Sequence, residues 1–170
     1  MSGAELERTA LEALAGRWRS AWSGAAAFSD CCTPDVSYED PLAVDPLRGP
    51  DALDAHGAML RRAFPDLRIE ATSPQLAQAD HACFPWRMVG THAGEVGSML
   101  PATDRFITVT GLHYVELTDG QVRRARGFFD LYDATVQLGL LPPRGGLGET
   151  ALLLLRGFGL RRRPPDQSLP

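Results

Sequence analysis

Tyr38 and Asp40 stand two residues apart in Val36-Ser37-Tyr38-Glu39-Asp40-Pro41-Leu42, a run that reads as extended. On a strand, residues two apart point to the same face. A phenol and a carboxylate presented together beside apolar neighbours are a starting point for proton transfer. Pro41 has no N–H to give to a sheet, so pairing ends there and Asp40 falls at the mouth of whatever the strand lines. The competing reading is structural: Asp40 caps the turn before Pro41, and residue types alone favour that.

A second carboxylate closes Arg126-Gly127-Phe128-Phe129-Asp130, at the junction of a predicted strand and a predicted helix. Asp130 is either the N-cap of that helix or, flanked by Phe128, Phe129 and Tyr132, a poorly solvated acid or base. The chain has four histidines. His56 and His81 read as structural or solvated. His92 shares strand parity with Trp86, Met88 and Gly90, and His113 with Ile107, Val109, Gly111 and Val115. If those faces line a cavity, two imidazoles enter an apolar wall where neighbours set their titration; otherwise each is a hydrogen-bonded core histidine. No HxxxH or HxH spacing occurs, so no metal site is expected. Nucleotide-binding and nucleophile-elbow signatures are missing as well.

The elements that would position these groups follow from periodicity. Leu11, Leu14, Trp18 and Trp22 put an aromatic stripe on a helix from Ala4 to about Ala27. A second helix starts at Pro50-Asp51, carries Leu53, Leu60 and Phe64 on one side and stops before Phe64-Pro65-Asp66. Extended segments run over Leu67–Ser73, Ala82–His92, Arg105–Leu117 and Gln121–Phe129, the last two joined by the tight turn Thr118-Asp119-Gly120. Pro85 makes its segment an edge or bulged strand. A last helix covers Asp130 to about Leu140 and ends at Gly139 and Pro142-Pro143. Helices followed by a meander of long antiparallel strands make an α+β fold. A curved sheet wrapped on the early helices leaves a cone-shaped cavity.

Composition bounds the partners. At 170 residues, 44% hydrophobic and 22% charged, the chain reads as one soluble domain. No apolar run approaches a membrane span and no signal peptide is recognisable, which predicts a cytoplasmic protein. Lysine is absent. Five of the 17 arginines, against only two acids, lie from Pro142 onward. The acidic body therefore argues against nucleic acid as a partner. Cys31, Cys32 and Cys83 fit neither a disulfide framework nor a zinc site. Residues 142–170 read as an appendage to a domain at 1–141, with a glycine-rich link, an apolar stretch at Thr150–Leu155 and the basic cluster Arg161-Arg162-Arg163. A short helix packed on the body or on a second subunit is favoured there over contact with an acidic membrane surface.

The order of these pieces resembles the SnoaL-like polyketide cyclases of the nuclear-transport-factor-2-like superfamily. The resemblance rests on Tyr38-Glu39-Asp40-Pro41, Gly49-Pro50-Asp51-Ala52 and Phe64-Pro65-Asp66-Leu67. It continues through Gly90-Thr91-His92-Ala93-Gly94, Asp119-Gly120-Gln121-Val122, and Phe129-Asp130 leading to Gln137-Leu138-Gly139. It implies a cone-shaped α+β barrel, a homodimer, and a cavity that works without metal or organic cofactor. It also implies intramolecular aldol ring closure with an acid/base at the end of the last strand, where Asp130 stands. The Glu-Asp-Pro segment is similar to that of ketosteroid isomerases, whose base would fall on Asp40 and whose oxyanion-stabilising acid would fall near His113. Ala125 and Gly127 replace a typical histidine and acid of the last strand. The Arg-x-Asp of limonene-type epoxide hydrolases does not occur.

The expected activity is proton abstraction from a bulky hydrophobic carbonyl compound by Asp130, or by Asp40. His113 or His92, with Tyr38, would hold the enolate oxygen. Trp18, Trp22, Trp86 and Phe129, with Met88 and Phe64, would line the pocket. The alternative is a module that binds a hydrophobic ligand or mediates dimer assembly without catalysis, its carboxylates exposed or paired to arginines.

Overall fold

In the computed structural model, which describes residues 3–43, 45–96 and 100–155, one curved, unclosed sheet packs on two helices. Helix α1 spans Gly3–Ser23 and buries Leu14, Ala15, Trp18, Ala21 and Trp22, so the predicted stripe is its core face. It stops four residues earlier than the periodicity suggests. Gly24 takes φ 81°, and the N–H groups of Gly24 and Ala25 return to the carbonyls of Ala21 and Ser20. That closure needs a left-handed residue, which glycine supplies without strain.

Strand β1 (Cys32–Glu39) follows a short 3-10 turn, and β2 is Leu47–Arg48. Helix α2 (Pro50–Ala63) begins on Gly49 with Pro50 at its first position, as the proline predicts. Then come β3 (Arg68–Ala71), β4 (Leu76–Gln78), β5 (His81–Thr91), β6 (Phe106–Thr118) and β7 (Gln121–Phe129). The strand order is β2-β1-β7-β6-β5-β3, with β4 also on β5. All pairs are antiparallel except β1 with β7. Asp119 and Gly120 both have positive φ, as a two-residue hairpin turn matching the twist of β6 and β7 demands.

Pro85 corrects one expectation, for β5 is neither an edge nor bulged. It pairs with β6 along its whole length, while its other side meets β4 at His81–Cys83 and β3 at Trp86–Val89. The Pro85 carbonyl accepts from Thr72 N on that second side. In a strand a residue's N–H and C=O point the same way, so the missing N–H faces the break between β3 and β4. Nothing there requires it.

Helix α3 (Leu131–Gln137) lies across the end of the sheet. Gln137 gives and receives a 2.8 Å bond with the backbone of Thr108, extending the β6 ladder where β7 has already ended. Tyr132 and Arg144 tie residues 142–144 to α3 through the Pro142 carbonyl and a guanidinium 4.6 Å over the Tyr132 ring. Helix α4 (Leu147–Leu155) leaves Leu147 and Leu155 exposed, so those two do not pack on the body of the same chain. The Arg161–Arg163 cluster lies outside the described residues. Among the described residues no helix is long and apolar enough to cross a membrane.

Candidate active site

Strand β1 delivers Tyr38, buried to 1% exposure, and then ends, leaving Asp40 in the turn. Asp40 divides its two oxygens between the two roles the sequence suggests. Oδ1 accepts the N–H groups of Leu42 at 2.7 Å and Ala43 at 2.9 Å, the turn-capping role. Oδ2 accepts the Tyr38 hydroxyl at 3.0 Å and lies 2.9 Å from His56 Nε2. His113, on β6, places Nε2 3.4 Å from Tyr38 Oη. Its Nδ1 accepts the indole N–H of Trp18 at 3.2 Å. The chain of contacts thus runs Trp18, His113, Tyr38, Asp40, His56.

Gly127 makes this meeting possible. It is the β7 partner of His113, and a Cβ there would lie 2.6 Å from Tyr38 Oη and 3.1 Å from Asp40 Cβ. The Tyr38 hydroxyl takes the space that a side chain would need. The wall at Gly127 therefore remains polar, through a group supplied from β1.

Burial governs the electrostatics. The cluster forms one end of a cavity of about 200 Å³ whose remaining walls are almost wholly apolar. Tyr38, Trp22, Phe64, Trp86, Met88 and Phe129 line it; Trp18 stands behind His113. Burial lowers His113 to about 3, against a weaker opposing pull from Asp40, so the imidazole is neutral near pH 7. Burial is also the largest single influence on Asp40 and pushes its carboxyl up. The bond from His56, that residue's proximity and the two backbone N–H groups outweigh it, leaving the carboxyl below its ordinary value. The Tyr38 phenol is pushed up by burial, then by the Asp40 charge and hydrogen bond.

These shifts act together in acid. Unfolded His113 takes a proton below its ordinary 6.5, the folded residue only near about 3, so between them the unfolded chain binds more protons. Stability from this residue is fully present above pH 6.5 and is lost as pH falls toward about 3. Asp40, also lowered, adds a loss below the ordinary carboxyl value of 3.8. Urea midpoints at pH ~7 and pH ~4.5 should therefore differ clearly, the acid one being lower. Equal midpoints would show that His113 is not a buried neutral base.

Asp130 is corrected. Its side chain is 53% exposed, against 3% for Asp40, and it does not line the cavity. It accepts Asp133 N at 2.9 Å as the N-cap of α3 and meets Arg144 at 3.3 Å. Phe129 turns inward and the next residue turns out, so the aromatic neighbours do not desolvate the carboxylate.

His92 is corrected too. It is buried beyond the end of β5, with Nδ1 accepting from Thr103 N at 3.2 Å and its ring 5.2 Å from Phe64. Its backbone bonds Thr103, Asp104 and Arg105, and it does not line the cavity. Of the four residues expected to be catalytic, the structure brings together Asp40 and His113. His56, which reads from sequence as structural or solvated, contacts Asp40. Its signal is its spacing from Leu53 and Leu60, three and four residues away on the buried side of α2. Among the described residues no group of three or more His, Cys, Asp or Glu side chains could hold a metal ion.

A sequence profile of the SnoaL-like polyketide cyclases matches residues 11–138. No curated protein gives a significant match. Among solved structures, a candidate SnoaL-like polyketide cyclase from Jannaschia sp. CCS1 superposes with a TM-score of 0.67 at 22% identity, covering 79% of this chain and 94% of its own. AclR, a candidate hydroxylase from Streptomyces galilaeus, gives 0.65 at 22% identity, covering 89% and 93%. A protein of ketosteroid isomerase-like fold from Catenulispora acidiphila DSM 44928 gives 0.62 at 15% identity, covering 75% and 92%. At these identities the likeness establishes the fold.

Proposed function

This chain belongs to the SnoaL-like polyketide cyclase family, and from that footing we propose that it closes a ring in a hydrophobic polycarbonyl compound by removing a proton from a carbon between two carbonyl groups. The observation that carries the reading is the meeting of the Asp40 carboxyl, the Tyr38 hydroxyl and the His113 imidazole in the wall of an otherwise largely apolar cavity.

Asp40 Oδ2 takes the proton. The Tyr38 hydroxyl turns from Asp40 to the developing enolate oxygen, and His113 Nε2–H, held by Tyr38 only at 3.4 Å, donates to the same oxygen. The enolate carbon then attacks a second carbonyl of the same molecule, one C–C bond forms, and the resulting alkoxide recovers the proton from Asp40. Asp40 is a weak base because four donors hold its charge. A weak base suits a C–H made acidic by two flanking carbonyls and is poorly matched to an isolated ketone. The apolar walls hold the chain folded so that its reacting carbons meet.

The same four donors favour a second reading, a module that binds a hydrophobic carbonyl compound without turning it over. A linear poly-β-ketone ester incubated with the purified protein separates the two. Catalysis predicts a ring-closed isomer, formed faster than in buffer and biased to one stereoisomer, by chromatography with mass detection. Binding that protects the linear ester from cyclising would reject the cyclase reading.

A homodimer completes the proposal. Phe106, Leu112, Tyr114 and Phe128 lie exposed on the outer face of β6 and β7, flanked by Arg124 and Arg126, both paired to Glu39. Leu112, Tyr114 and Phe128 adjoin across the β6–β7 pairing, with Phe106 set apart beyond Thr108 and Thr110, and exposed apolar groups of this kind suit a contact site. Light scattering is expected to give twice the chain mass for the wild type and a single chain mass for Leu112→Glu with Phe128→Glu. A wild-type monomer would dismiss the idea.

A further inference from the structure

His113 carries one proton on one of two nitrogens, and only a proton on Nε2 serves the cavity. An indole N–H donates and never accepts, so the nitrogen facing Trp18 must be bare. Trp18 Nε1 lies 3.2 Å from His113 Nδ1. We propose that Trp18 is a positioning residue that locks His113 in the Nε2–H tautomer, aimed at Tyr38 and the cavity; its bearing on turnover rests on the cyclase reading above.

The surroundings leave Trp18 as the edge partner of the imidazole. Trp22 stacks on the ring at 5.5 Å and 5°, and Trp86 at 5.4 Å and 30°, so these two indoles face its π surfaces. Trp18 meets it at 79°. Trp18 is 1% exposed and wedged edge-on against Trp22 at 6.0 Å and Phe28 at 5.2 Å, so it has little freedom to withdraw. Turning the imidazole over would exchange Nδ1 for a carbon and break the bond. A second proton on His113 would set Nδ1–H against the indole N–H, two donors head to head. Trp18 thereby also disfavours the charged ring. Trp18 does not line the cavity, so it acts on substrate only through its neighbours, and His113 is the one to which it gives a hydrogen bond.

The test is Trp18→Phe, which keeps an aromatic ring and removes the N–H. A second variant replaces Trp18 with 3-benzothienylalanine, whose sulfur substitutes for N–H at nearly the same shape, in case the phenyl ring packs poorly. Two-bond ¹H–¹⁵N spectra of histidine-labelled protein read the tautomer with no substrate present. The wild type should show His113 protonated at Nε2 alone, and both variants a population carrying the proton on Nδ1. Trp22→Phe is the control: the Trp22 N–H has no partner, so its loss should leave the His113 tautomer in place. On a poly-β-ketone, kcat of both Trp18 variants should fall about tenfold with KM nearly unchanged, the equivalent of one neutral hydrogen bond. A wild-type proton on Nδ1, or an unaltered tautomer in both variants, overturns the lock. An altered tautomer with full turnover overturns its part in the reaction. The spectra decide the lock even if the cyclase reading fails.

Discussion

Changing Asp40 to asparagine is expected to cut turnover on a linear poly-β-ketone by ~10²–10⁴-fold, the worth of a positioned general base. The substitution is nearly isosteric and its consequences divide by oxygen. The amide oxygen can still accept the Leu42 and Ala43 N–H groups, so the turn after β1 keeps its shape. The amide nitrogen takes the place of Oδ2, where it cannot receive a proton, and it confronts the Tyr38 hydroxyl and His56 Nε2. Tyr38 can reverse to accept from it, so the fold should survive while the base is gone. Asp130→Asn is the companion variant. Asparagine caps a helix about as well as aspartate, and the exposed Arg144 contact contributes little, so its turnover should stay near the wild-type rate. Steady-state rates with thermal melts on both proteins decide the matter. Full activity in Asp40→Asn alongside loss in Asp130→Asn would return the base to the helix cap.

His113→Phe is expected to lower kcat by ~10²–10³-fold, the cost of one preorganised oxyanion donor. Phenylalanine keeps a flat ring between Trp22 and Trp86, so the packing of the wall changes little. It removes the Nε2 donor from the cavity and strands the Trp18 N–H without an acceptor. A buried donor left unpaired costs about 1–3 kcal/mol, so a lower melting temperature should accompany the slower rate. The variant should also shrink the acid loss of stability, since the His113 share is gone and that of Asp40 remains. Wild-type turnover by the His113→Phe variant would take the imidazole out of the mechanism.

The sequence is most legible where one periodic signal meets no competitor. The α1 stripe, the β6–β7 turn and the inward parities of Trp86-Met88 and Ile107-Val109-His113 all reappear, because each is set by strand or helix geometry alone. Placement fails where an element ends. His92 shares the parity of β5 but lies past its last residue, so the alternation no longer fixes its direction. Asp130 fails in the same way beyond β7, where the N-cap requirement of α3 decides its direction. Pro85 misleads because its missing N–H marks a break in the neighbouring strand, a feature of β3 and β4. Asp40 shows the opposite lesson: its structural and chemical readings compete on paper, while a carboxylate has two oxygens and uses one for each. His56 escapes notice because residue type alone says little about a helical histidine, whereas its place among Leu53 and Leu60 says much.

The crowding of indoles on His113 has an optical corollary. The chain has three tryptophans, and their rings lie 5.4–5.5 Å from that imidazole. The tryptophan emission, excited selectively over that of tyrosine, therefore originates beside the cavity. A carbonyl compound settling into the chamber is expected to quench that light saturably, so occupancy can be titrated without a label or a coupled reaction, and before any product has been identified.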